Sequence, residues 1–179
     1  LEESNIRMLS SYVGVLRRFA QLKNDGNGEK LRLKYMTSAA ETLDHYTRHY
    51  IEKAFDAPLW DLYGGTEIGL VAFQCGKGNY HIQSDAVYLE CLNDGGEQVK
   101  PGEPGYTSIT RFDSWNSTPI IRYTGSNAVA VLADPSKECD CGMRLPLMER
   151  IEGRKVDSII LPDGKVFDAF SFTSIPVQV

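Results

Sequence analysis

The chain has no run of about 18 apolar residues, the length that a membrane-spanning helix requires. Its first residues carry Glu2, Glu3 and Arg7 and no small-residue cleavage site, so they do not read as a secretory signal. A basic stripe is missing too. The 19 Lys and Arg are scattered among 24 Asp and Glu, and the net charge of -5 leaves no positive field for a nucleic-acid backbone. No membrane and no nucleic-acid partner is expected, and the chain reads as cytoplasmic. There is no internal repeat and no low-complexity tract. Cysteine is limited to four residues and histidine to three. In a cytoplasmic setting, four cysteines read as metal ligands or reduced core residues rather than disulfides.

What is present suffices for a core, since 42% of the 179 residues are hydrophobic, enough for one domain or two packed subdomains. Residue 1 is Leu and the sequence opens inside an apparent helix, so a fragment of something longer is expected. Ile6, Leu9, Val13, Leu16 and Ala20 recur at steps of three and four, which predicts one amphipathic helix ending at Asn24-Asp25-Gly26. Residues 31 to 36 alternate like a strand. A second helix is expected over 40 to 55, with Glu41 and Asp44 near its N-terminal end, where the helix dipole favours acids. Pro58 then opens a strand, and this strand-helix-strand order favours a parallel pair. Beyond Gly69 the texture changes to short apolar runs at 70–73, 86–92, 106–111, 120–123 and 128–133, separated by Asn93-Asp94-Gly95-Gly96 and Pro101-Gly102-Glu103-Pro104-Gly105. The fold class expected is therefore α/β: a strand-helix-strand unit packed on a small distorted antiparallel barrel.

The segment Tyr63-Gly64-Gly65-Thr66-Glu67-Ile68-Gly69 puts a hydroxyl and a carboxylate on a glycine-permitted turn after the expected strand at 58–62. Glycine allows a sharp turn and close approach of a ligand to the main chain. Thr66 can hydrogen-bond a phosphoryl oxygen, and Glu67 can hold a hard cation such as Mg2+. Strands of open α/β sheets place ligands at their carboxyl ends, where this turn falls.

This string resembles the YGxTE signature of the adenylate-forming, or acyl-CoA synthetase, superfamily, and its surroundings are most similar to the phenylacetate-coenzyme A ligase branch and its capsule-biosynthesis relatives. Further matches follow in the family's order. Pro119-Ile120-Ile121-Arg122-Tyr123-Thr124-Gly125-Ser126-Asn127 resembles the PxIRYxxGD segment, with Asn127 where the family has the aspartate that receives the ribose hydroxyls. An amide accepts a hydroxyl without charge assistance, a loss of about 1 kcal/mol. Ile151-Glu152-Gly153-Arg154-Lys155-Val156-Asp157 is similar to the GRxxD hinge segment, which implies Arg154 near the nucleotide and Asp157 near a pivot. Residues 159 to 167 resemble the hairpin that follows it.

The resemblance implies residues 1–69 as the α/β part of an AMP-binding domain, 70–152 as the barrel subdomain and 153–179 as the hinge and start of a truncated C-terminal domain. It implies a two-step ligase that takes ATP, a carboxylic acid and coenzyme A, with Thr66 and Glu67 catalytic. Tyr63, Gly64, Gly65, Thr66, Asn127 and Arg154 would bind ATP or AMP, and Glu67 would hold the magnesium. The family's Ser/Thr/Gly-rich phosphate loop and the lysine of its small domain do not occur in these 179 residues, so the fragment alone is expected to be inactive. Self-association as a homodimer is expected if the cut at residue 1 exposes an apolar patch.

The cysteines form a separate constellation. Cys75-x5-His81 and Cys139-x-Cys141-Gly142 are two ligand pairs, and three thiolates with one imidazole complete a tetrahedral zinc shell. A closed shell of four protein ligands is a structural site. A shell with Cys91 in place of His81, and four buried thiols without metal, are the alternatives. Cys91 alternates with Val87 and Leu89, which suits a core position. His45 and His49 are read as solvated residues of a helix face. Trp60 and Trp115 are read as core or rim aromatics, Trp60 also being a candidate to line the nucleotide cleft. Asp113, Asp134 and Glu149 show no pairing suited to acid-base work. A second function class follows from these features: a zinc-stabilised structural or interaction domain whose adenylation site has decayed at Asn127.

Overall fold

The computed structural model describes residues 6–112, 118–154, 159–162 and 166–167. Strand β1 (Met8–Ser11), helix α1 (Val13–Asn24), strand β2 (Tyr35–Ala39), helix α2 (His45–Phe55) and strand β3 (Leu59–Gly65) come first. The three strands pair in parallel, with Met8 opposite Tyr35 and Met36 opposite Leu59. The expected strand-helix-strand unit is thus present, extended by one strand at its edge.

Its boundaries differ from the sequence reading for identifiable reasons. The helix expected from Ile6 starts only at Val13, because 8–11 is claimed by the ladder to β2 and Tyr12 is extended at φ -67, ψ 151. Leu9 satisfied the helical spacing, but the tertiary partner decided its conformation. Tyr12 supplies no side-chain cap to α1; Glu41 reaches across and accepts the Gly14 N–H at 2.6 Å. The alternation at 31–36 belongs mostly to a loop that buries Leu31 and Leu33, and the strand itself lies at 35–39. Helix α2 starts at His45 rather than near Ala40. Asp44 is its N-cap, accepting from the Tyr46 and Thr47 N–H groups at 2.9 Å each, and Ala40 has φ +66, which no helix admits.

Strands β4 (Gly69–Gln74), β5 (Tyr80–Ile82), β6 (Val87–Leu92), β7 (Pro104–Arg111), β8 (Ala128–Leu132) and β9 (Leu147–Arg154) follow, all antiparallel to their neighbours. They do not form a closed barrel. All nine strands make one open sheet in the order β1-β2-β3-β4-β5-β9-β8-β7-β6, so the expected second unit is a continuation of the first. Among the described residues the run at 120–123 forms no strand: Tyr123 bridges Ile109, and Ile120 accepts the Arg111 N–H at 2.9 Å. Strands β5 and β9 had no signal in the apolar pattern, β5 because it is three residues long and β9 because Glu149, Arg150 and Glu152 interrupt it. A separate hairpin pairs β10 (Ile159–Ile160) with β11 (Val166–Phe167), as the resemblance implied. Trp115, Asp113 and Asp157 lie outside the described residues.

Three apolar clusters hold the sheet. One packs Leu16 and Ala20 of α1 and Ile51 and Phe55 of α2 onto Met36 and Leu59. Full burial of a side chain such as Leu16 is worth roughly 1.5–3 kcal/mol. The second lies among β4 to β9 around Val71, Ile109, Ala130 and Met148. The third is small and consists of Cys75, Ala133, Cys139 and Leu147.

Candidate functional site

The parallel part of the sheet gives way to the antiparallel part between β3 and β4, and the glycine-rich segment makes that junction. Tyr63, Gly64 and Gly65 still belong to β3, and the turn proper is Thr66, Glu67 and Ile68. The β3–β4 ladder slips between Tyr63 and Gly64. A Cβ at Gly64 would collide with the carbonyl oxygen of Gly69, and Gly69 itself has φ +65. Both glycines are required by the backbone, which turns tightly enough to leave Thr66 and Glu67 exposed.

Beside this junction opens a cavity of about 890 Å³. Tyr63, Gly64, Gly65, Glu67 and Arg154 all line it, so residues 87 or more positions apart in the two expected motifs, 67 and 154, face one space. Thr66 and Asn127 fall outside the lining, although the residues on either side of each belong to it. Asn127 is exposed, with φ +49, a conformation that Asn and Asp tolerate better than most side chains. The Tyr63 hydroxyl points away from open space and donates to Thr107 Oγ1 at 3.0 Å, and burial pushes its pKa up. Arg122 of the second motif lies at φ +47 and pairs with Glu90 at 3.2 and 3.3 Å, which fastens the segment preceding Asn127 to β6. Trp60 stacks on Tyr35 at 5.1 Å and is not part of the cavity wall.

Sequence reasoning missed the polar floor of the cavity. Leu59, Asp61 and Tyr63 are the buried alternation of β3, so a carboxylate occupies an inward position among apolar neighbours. Asp61 is 5% exposed. It accepts from Ser38 Oγ at 2.5 Å and from Tyr80 OH at 2.6 Å. Desolvation raises its carboxyl above the usual range, against the opposing pull of those two hydroxyls and of Arg48. Arg48 donates to the Leu59 carbonyl and to Gln74 Oε1, and Gln74 Oε1 also accepts the Asp61 backbone N–H at 3.1 Å. His45, Arg48, Asp61, Gln74 and Tyr80 all line the cavity. The one available signal was Asp61 breaking an otherwise apolar face.

The second cluster forms behind β5. Cys75, His81, Cys139 and Cys141 bring one ligand atom each to within 4.8 Å of one another. Ligands about 2.3 Å from a common tetrahedral centre stand about 3.8 Å apart. Cys75 Sγ and Cys139 Sγ are 3.7 Å apart, and Cys141 Sγ and His81 Nε2 are 3.3 Å apart, so the four fit a zinc ion. Gly142, at φ +84, returns its N–H to the Cys139 carbonyl at 3.0 Å and closes the knuckle. Asn79 Nδ2 and the Lys77 N–H donate to the Cys139 and Cys75 sulfurs at 3.2 and 3.4 Å, which offsets thiolate charge. The Cys141 backbone N–H leads the influences that lower the Cys139 thiol below its ordinary range, which favours the thiolate that binds metal. His81 is fully buried, and its Nδ1 has no hydrogen-bond partner among the described residues, which leaves Nε2, turned to the sulfurs, as its working atom. Cys91 takes no part: it sits fully buried in the second apolar cluster, and burial raises its thiol to about 11.

No protein-family model and no curated protein matches the chain. Solved structures do. Over 91% of its length the chain is similar to 35% of a 2-hydroxyisobutyryl-CoA ligase in the postadenylation state with R3-HIB-AMP, at 19% identity and TM-score 0.79. It is similar over 92% of its length to 32% of the anthranilate CoA ligase AuaEII in complex with anthranoyl-AMP, at 14% identity and TM-score 0.59. A long-chain-fatty-acid-CoA ligase from Archaeoglobus fulgidus matches over 82% of this chain and 34% of that one, at 11% identity and TM-score 0.54. The chain thus spans about a third of the length of the solved structures it matches. At these identities the likeness is one of fold: the described residues form part of the acyl-CoA ligase fold, as the motif resemblance implied.

Proposed function

We propose that the chain is the nucleotide-binding portion of an ATP-dependent carboxylate-activating ligase, an acid-thiol ligase similar to phenylacetate-coenzyme A ligase. The observation that carries this reading is the meeting of Tyr63, Gly64, Gly65, Glu67 and Arg154 around one cavity at the carboxyl end of the last parallel strand, in a chain with a CoA ligase fold. In the first step a carboxylate oxygen attacks the α-phosphorus of ATP, forming an acyl-phosphate bond as pyrophosphate leaves. In the second, a thiol sulfur attacks the acyl carbon, losing its proton to solvent or a base, and AMP leaves with the electron pair of the broken C–O bond. Both steps build charge on phosphoryl or carbonyl oxygens. Thr66 donates its hydroxyl to a phosphoryl oxygen, and the backbone of 63–65 passes beside the adenine. Asn127 accepts a ribose hydroxyl, and Arg154 faces the nucleotide. Glu67 is an exposed carboxylate on the turn beside the cavity, the kind of donor that suits a magnesium ion keeping several waters and sharing phosphate oxygens. Bound there, Mg2+ would offset phosphate charge as the anhydride breaks.

The division into an α/β part at 1–69, a second part at 70–152 and a hinge from 153 follows the same reading, as do coenzyme A as the acceptor, a cytoplasmic location and, if apolar surface is exposed, homodimerisation. Among the described residues no helix is long and apolar enough to cross a membrane. The 179 residues contain no phosphate loop and no small-domain lysine, so the isolated polypeptide is expected to show no adenylation. Exchange of labelled pyrophosphate into ATP, run with the full-length parent across aryl and alkyl acids, tests the function. Exchange with one class of acid supports it and names the substrate class. Folded parent, with magnesium, that exchanges with no acid overturns it.

The cluster at Cys75, His81, Cys139 and Cys141 is a structural zinc site in this reading, because all four positions of a tetrahedral shell are filled by protein. Asn127 supports the alternative function, a zinc-stabilised structural domain with a decayed site. Asn127→Asp separates the two. In an enzyme it leaves activity similar or tightens ATP by up to about fivefold, a change of about 1 kcal/mol. In a decayed site it restores neither binding nor exchange.

A further inference from the structure

The β4–β5 hairpin has two working faces. Gln74 and Tyr80 stand directly opposite each other in the ladder, and both turn to the cavity floor. Their chain neighbours, Cys75 and His81, turn the other way into the cysteine cluster, as successive strand residues must. On the cavity side Tyr80 donates to Asp61, while Gln74 receives both the Asp61 N–H and Arg48. On the other side the loop carrying Cys139 and Cys141 leads into β9, whose Leu147 and Met148 pair with His81 and Tyr80. Residues 149–151 and 153–154 of β9 then form part of the cavity wall.

The apolar packing behind the hairpin is slight: Cys75, Ala133, Cys139 and Leu147 form the smallest of the three clusters. Strand β5 is three residues long. The Asp61 N–H is held by the Gln74 side chain rather than by a ladder bond to β4, whose described pairing with β3 stops at Leu62 and Phe73. Each link between hairpin and cavity floor therefore depends on where the hairpin is held.

We propose that a zinc ion bound by Cys75, His81, Cys139 and Cys141 clamps the hairpin from behind, so that Gln74 and Tyr80 act as positioning residues for Asp61 and Arg48 at the cavity floor. Zinc occupancy and ligand binding in the cavity are then linked, and the linkage is reciprocal. The ligand half of this statement rests on the nucleotide reading above; the clamp does not.

The test compares the 179-residue protein carrying zinc with the same protein after chelation, by metal analysis, amide hydrogen exchange and AMP calorimetry. One zinc per chain is expected. Chelation should speed exchange at Asp61 and in β5 by at least about tenfold and leave α1 and β2 near their original rates. AMP should bind the zinc form about tenfold more tightly, and zinc should bind the AMP complex more tightly than the free protein by the same factor. Failure to hold zinc, or unchanged exchange at Asp61 and β5 after its removal, overturns the clamp. Accelerated exchange without AMP binding to either form keeps the clamp and removes the nucleotide reading. If chelation unfolds the whole protein, Tyr80→Phe with zinc present decides the matter. It should retain one zinc and normal exchange at the Cys75 amide while exchange at Asp61 rises about threefold or more. Unchanged exchange at Asp61 in that variant overturns the positioning role.

Discussion

The turn at Tyr63 to Gly69 and the cluster at Cys75, His81, Cys139 and Cys141 lie on either end of the same strand, β4, yet they are built by opposite means. At the turn, backbone makes the site: two glycines admit a geometry that no other residue fits, and the polar side chains are left exposed. At the cluster, side chains from three segments make the site, and three of the four ligands are buried. The fold of a site made by backbone tolerates change in its exposed side chains but not in its glycines. A site made by convergence fails when any one ligand is lost, because the others then have no shared partner. A site at the first kind of place is open to a passing substrate, and one at the second is suited to a resident ion.

The largest expected effect falls on the cluster. Cys139→Ser should abolish stoichiometric zinc and lower the thermal midpoint by about 10 °C or more, whereas Cys91→Ala should retain full zinc, as metal analysis and calorimetry would register. Equal zinc loss in both would erase the distinction between ligand and core cysteine. Next, Glu67→Gln in the full-length parent should reduce pyrophosphate exchange by about 100-fold while stability stays within about 0.5 kcal/mol, since the side chain is exposed. Gly64→Ala should do the reverse, lowering stability by about 2 kcal/mol in denaturant titration, because the added methyl meets the Gly69 carbonyl. If Gly64→Ala is neutral, the turn is not backbone-limited and the contrast fails.

The smallest effect is a slope. Desolvation raises the Asp61 carboxyl in the folded state, so the folded chain holds this proton where the unfolded chain has released it. Stability from this group is therefore full below its ordinary value of 3.8 and is lost as pH rises through the raised one. Asp61→Asn should flatten that part of the stability-pH curve, measured by denaturant titration from mildly acidic to neutral pH. An unchanged slope would assign it to other groups.

Much of the local structure was legible. The spacing of Val13, Leu16 and Ala20 marked the buried face of α1, and the β2-α2-β3 order marked a parallel pair. Cys91 was recognisable as core from its alternation with Val87 and Leu89. Misplaced boundaries came where a tertiary partner outweighed a local pattern: β1 taken from a helical spacing by its ladder to β2, and α2 shortened by the Asp44 cap. The small distorted barrel expected beyond Gly69 is instead part of an open sheet, because turn signals report that strands reverse, not whether the last one finds the first.

Sequence by itself determined the chemistry of both places: glycines where a chain must turn sharply, a hydroxyl and a carboxylate beside them, and thiols and an imidazole in two short pairs. These are properties of residues and close spacings, and they survive without a fold. Only the tertiary structure decided that Arg154 and Glu67 line one cavity, that His81 rather than Cys91 joins the sulfurs, and that Asp61 lies buried under Ser38 and Tyr80. Those facts depend on strand order, and the pairing of β5 with β9 across the sheet joins segments that no local spacing relates.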